Sequence, residues 1–129
     1  MNKIIVEVSV GELLDKISIL EIKRGKIKDP EKLKFINNEH TILKSQLEKN
    51  IKSDKKLDKL YVSLKEINSK LWVIEDDKRQ CEKDKDFGEK FIELSRDVHF
   101  LNDDRAKIKL EINNHTGSTI KEIKEYTSY

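Results

Sequence analysis

The sequence predicts an all-α fold: an elongated antiparallel bundle of about four helices, with a central helical hairpin and a short N-terminal extended arm. Three observations carry that prediction. Apolar residues recur every three or four positions along most of the chain. Charged residues make up 40% of it, with Lys+Arg (27) and Asp+Glu (25) nearly cancelling, as on solvated helix surfaces. One proline and four glycines are all that punctuate it. A chain of 129 residues has room for one domain, 1–129, and long helices in so short a chain bury a thin core, which favours self-association as a dimer or higher oligomer.

The elements follow in order. Ile4 to Val8 is β-rich and roughly alternating, so residues 1–8 are expected as an extended arm or short strand. Ser9, Val10, Gly11 and Glu12 then spell a capping box that starts the first helix. Its stripe is Leu13, Ile17, Leu20 and Ile27, widened by Leu14. Asp29 and Pro30 form an N-cap and first-turn pair for a second helix reaching about Ile51, with its stripe on Leu33, Ile36, His40, Leu43 and Leu47. Ser53 or Asp54 can cap a third helix whose seam is the most regular in the chain: Leu57, Leu60, Leu64, Ile67, Leu71 and Ile74. An antiparallel hairpin of helices two and three is the simplest arrangement. Asp84 to Gly88 interrupt the pattern, and a fourth helix follows on Phe91, Leu94, Val98, Leu101, Ile108 and Ile112, ending near Gly117. Residues 118–129 form a polar tail, expected to dock on the bundle or to pair with Ile4 to Val8.

Candidate functional residues are those that break these stripes, because a charge in a helical seam must be paired, hydrated or used. Arg24 stands between Leu20 and Ile27, with Glu21 on the flank; Glu75, Lys78 and Arg79 succeed Ile74; Arg105 stands between Leu101 and Ile108, with Asn102 beside it. Guanidinium forks suit carboxylate and phosphate. One reading therefore has Lys16, Arg24, Arg79, Asn102 and Arg105 holding a small phosphorylated or carboxylated molecule, with Glu21 or Glu75 orienting the arginines or acting as general acid or base. The alternative is structural: Glu21 pairs with Arg24 and Glu75 with Arg79 along their own helices, at the rim of an oligomer interface. An oligomeric interaction module leads on periodicity, and the sequence leaves open whether the chain is an enzyme.

Other features are read more plainly. Glu93, Asp97, Asp104 and Glu111 share one side of the fourth helix and read as a solvated acidic stripe, with no metal implied. Cys81 falls at a seam position with no histidine placed to activate it, so it reads as a buried small hydrophobe. No phosphate-binding glycine loop, HExxH or GxSxG is present, and no cofactor is implied. Net charge is +2, so nothing calls for nucleic acid, although Lys55, Lys56 and Lys59 are where it would touch. The longest apolar run, Leu71 to Ile74, is far short of a membrane span. The lone cysteine and the lack of a signal-peptide pattern make the cytoplasm the expected compartment.

Three blocks also carry a resemblance: EVSVGELLDKISILEIKRGKI (Glu7 to Ile27), LWVIEDDKRQCEKDKDFGEKFIELSRDVHFLNDDRAKIKLEIN (Leu71 to Asn113) and GSTIKEIKEY (Gly117 to Tyr126). In order and spacing they are similar to a small helical domain-of-unknown-function family of bacteria and their phages. The resemblance implies that the polar residues of these blocks, Glu21, Arg24, Glu75, Arg79 and Arg105 among them, belong to the family's pattern. It implies no activity.

Overall fold

A computed structural model describes residues 2–129 as four helices: α1 (Val10–Lys26), α2 (Pro30–Asn50), α3 (Lys55–Asp84) and α4 (Glu89–Thr116). The all-α bundle matches the expectation from periodicity, and most of the boundaries are set by local chemistry. Ser9 Oγ accepts the Glu12 backbone N–H at 3.1 Å, Asp29 Oδ1 that of Glu31 at 3.0 Å, and Asp54 Oδ1 that of Leu57 at 2.8 Å. Gly117 closes α4 in the left-handed region at φ 69°, where glycine alone carries no Cβ penalty. One half of the predicted capping box is missing: the Glu12 carboxylate turns away to the Lys109 ammonium at 2.8 Å. A charge-assisted ion pair outcompetes a bond to a neutral backbone N–H.

The pairing of helices differs from the expected hairpin of helices two and three. The antiparallel hairpins are α1–α2 and α3–α4, and α1 lies against all three other helices. The α2 and α3 backbones stay apart along their length. A heptad seam states that a helix has a buried side, not which helix fills it. The core is a cluster of Leu14, Leu57, Leu64 and Ile112, with Val10, Leu47, Ile51, Leu60, Tyr61 and Ile108 packed on it. Each fully buried leucine or isoleucine there contributes on the order of 2 kcal/mol. Only the C-terminal half of α2 reaches this cluster; Ile36 is its single buried residue, and Phe35 and Ile42 are exposed.

Both ends of the chain are irregular. Among the described residues the arm forms no strand, and Ile4, Ile5 and Val6 are exposed; Met1 lies outside the described residues. The tail docks on the bundle and does not pair with the arm. It runs back along α4, with Glu122 on Lys109 at 3.0 Å, Tyr129 hydrogen-bonded to Asp103, and the Tyr129 ring against His99 and Phe100. No described helix is long and apolar enough to cross a membrane.

Candidate functional site

Two polar clusters flank α1, and the first exists because of how closely the helix packs on α4. Gly11, in its first turn, faces α4: a Cβ there would lie 2.7 Å from the Lys109 carbonyl oxygen and 3.0 Å from Asn113 Oδ1. With hydrogen in that place, the Gly11 N–H donates to Asn113 Oδ1 at 2.7 Å and the two backbones approach.

That approach brings Lys109, which is only 8% exposed, onto three carboxylates: Glu12 at 2.8 Å, Glu122 at 3.0 Å and Asp15 at 3.7 Å. Burial pulls the ammonium's pKa down, but the hydrogen bonds to Glu12 and Glu122 outweigh it and hold the pKa above the usual lysine value. Asp15 is also buried, and its Oδ1 accepts from Asn68 Nδ2 at 2.8 Å. The same Asn68 amide donates to Ser18 Oγ at 2.8 Å, and Ser18 in turn donates to the Asp15 carbonyl at 2.8 Å. On its other side, Asn68 Oδ1 accepts from Arg105 at 3.3 Å. Among the described residues no buried side-chain nitrogen or oxygen is left without a partner, so this network fixes the position of Asn68 and, through it, Arg105.

Arg105 and Asn68 open on one side into a surface groove of about 300 Å³. Ile19, Leu71 and Trp72 supply its apolar part; Glu75, Asp76, Arg79 and Arg105 supply the charges. Among the described residues neither Arg79 nor Arg105 has a carboxylate within 4.0 Å. Two guanidinium groups thus share a groove with the Trp72 side chain, a combination that suits an apolar molecule bearing an anion.

The second cluster centres on Glu21. Its carboxylate accepts from Tyr61 on α3, from His40 on α2 at 3.0 Å and from Lys65 at 3.4 Å, with Arg24 at 4.0 Å. Burial alone would raise the Glu21 pKa, but the bonds from Tyr61 and His40 and the Lys65 ammonium outweigh it and hold the carboxyl below its ordinary value. Burial and the facing carboxylate push the Tyr61 phenol far above its ordinary value. This carboxylate ties three helices together.

The sequence-derived candidates therefore divide. Glu75, Arg79 and Arg105 line one groove. Arg24 and Glu21 belong to the second cluster, as the along-helix pairing reading has it; no Glu75–Arg79 ion pair forms. Lys16 is exposed and Asn102 half-buried, and neither lines the groove. Asp15, Ser18, Asn68 and Lys109 are missing from the sequence-derived set. Asn68 is four residues after Leu64 and three before Leu71, beside the seam rather than in it, and that adjacency is the one signal it gives. Cys81 is buried, as its seam position implies, and among the described residues no group of three or more His, Cys, Asp or Glu is placed to hold a metal ion.

Neither a curated protein nor a solved structure matches the chain. A family model does, over residues 4–129, described as a family of unknown function, DUF6165. The match spans both helical hairpins, the tail and every residue of the groove, so the chain belongs to this family of unknown function.

Proposed function

We propose that this protein binds a small anionic molecule, phosphorylated or carboxylated, in the groove bounded by α1, α3 and α4. Arg79 and Arg105 hold the anion, and Trp72 with Ile19 and Leu71 packs against the remainder of the ligand. The observation that carries the reading is the pair of arginines without carboxylate partners, one of them anchored through Asn68 to the buried Asp15–Ser18 network. An anchored guanidinium loses little side-chain freedom when a ligand arrives, so more of its interaction energy appears as affinity. Glu75 and Asp76 line the same groove. They favour a ligand that also carries a donor or a positive charge and disfavour a bare polyanion.

A thermal-shift screen of phosphorylated and carboxylated metabolites tests this. A ligand at a hundred times its Kd adds about 2.7 kcal/mol, which for a chain this size raises Tm by roughly 10 °C. Arg79→Ala or Arg105→Ala removes a charge-assisted contact worth about 1.5–3 kcal/mol and should weaken binding about 10- to 100-fold. Melting temperatures indifferent to every anion, or a response that both variants retain in full, would overturn the proposal.

A further inference from the structure

We infer that a second groove, between α3 and α4, is where another copy of this chain docks, hairpin against hairpin, to complete an antiparallel four-helix bundle. This groove of about 610 Å³ is lined by Val73 and Ile74 on α3 and by Phe100 and Leu101 on α4. Val73 is 48% exposed and Phe100 38% exposed. It shares no lining residue with the Arg79–Arg105 groove, so the inference stands or falls independently of the anion site.

Charge identifies the occupant and its orientation. Lys70 on α3 and Asp97 on α4 line opposite sides of the groove. Among the described residues neither has an ion-pair partner within 4.0 Å. A two-fold axis parallel to the helices lays α3 of one protomer over α4 of its partner at the same level. Lys70 then meets the partner's Asp97, and Asp97 meets the partner's Lys70, which is the reciprocity of an isologous interface. An axis running across the helices would instead set Lys70 against the partner's Lys70. Either axis leaves all four neighbouring helix pairs antiparallel, the up-down order in which helix dipoles oppose one another favourably, so the charge pairing alone selects the first. Contact along the full length of the two hairpins, helices about 40 Å long and about 10 Å across, would cover about 800 Å², the share per partner of a standard stable interface.

Light scattering on a sizing column, with sedimentation velocity, decides it. The protein is expected to be a dimer at tens of micromolar, and Val73→Asp to be monomeric with unchanged circular dichroism. Lys70→Glu and Asp97→Lys should each weaken the dimer at least about tenfold, because each sets like charges together. The double variant K70E/D97K should restore the dissociation constant to within about threefold, since the two effects are coupled. A monomeric wild-type protein, which would leave the groove to a different partner, overturns the inference. So does a dimer indifferent to Val73→Asp, or a double variant no better than its singles.

Discussion

The same substitution at two places in α1 should change stability in opposite directions. Alanine is a better helix former than glycine by up to about 1 kcal/mol, so propensity alone predicts that Gly11→Ala and Gly25→Ala both stabilise. Gly25 is in the last turn with nothing within 4 Å of the added Cβ, and Gly25→Ala should gain about 0.5–1 kcal/mol. At Gly11 the Cβ meets the Lys109 carbonyl oxygen at 2.7 Å. That atom is backbone, so relief requires α1 and α4 to separate by about half an ångström, an overpacking cost of about 1–3 kcal/mol. The separation also stretches the buried 2.7 Å bond from the Gly11 N–H to Asn113 Oδ1, costing about 1 kcal/mol more. Propensity counts for less in the first turn, so the net effect of Gly11→Ala is a loss of about 2–3 kcal/mol. Urea denaturation followed by circular dichroism gives both values by linear extrapolation. Two variants shifted in the same direction would refute the claim that Gly11 marks a forced close approach.

Other consequences follow from the polar clusters. Asn68→Ala removes one hydrogen bond to a buried carboxylate and one to a hydroxyl and should cost about 2–4 kcal/mol, read as a Tm lower by roughly 10 °C. Lys109→Met leaves Asp15 buried without its cation and should cost about 3–5 kcal/mol at neutral pH. A Lys109→Met variant as stable as wild type would argue against the pairing. Glu21 has a folded pKa below its unfolded one, so the stability it contributes is present above about pH 4.3 and is lost as pH falls through the folded value. Glu21→Gln should therefore be less stable than wild type at pH 7 and show a shallower decline in acid; parallel profiles from urea melts would count against that role.

What the sequence makes legible is local. Ser9, Asp29, Asp54 and Gly117 set helix ends through atoms a few residues away, and the three- and four-residue spacing marks each helix's buried side. Which helices pair is not local, and there the expected hairpin of helices two and three gave way to α1–α2 and α3–α4. The same non-locality hid half of the site. α3 is covered by α1 as well as α4, so its buried arc is wider than a heptad seam, and Asn68 at the margin of that seam is 4% exposed. Lys109 lies one position from Ile108 and three from Ile112 and looks solvated in the sequence. Only the Gly11 contact, 98 residues earlier in the chain, draws it inside. Arg79 and Arg105 were legible because they interrupt a stripe. Arg24 interrupts one equally well and lies in the Glu21 cluster, because an interruption reports the face of a helix and not which neighbour shares it.

The central claim is that Arg79, Arg105 and Trp72 form one anion-binding groove. A two-dimensional NMR titration of ¹⁵N-labelled protein with the strongest anion from the thermal screen tests it directly. The account predicts saturable shifts of the Trp72 indole N–H, the Asn68 side-chain amide and the Arg79 and Arg105 Nε–H signals, with the Lys55 to Lys59 amides unmoved. Shifts confined to Lys55, Lys56 and Lys59, or spread over all lysines without saturating, would contradict it.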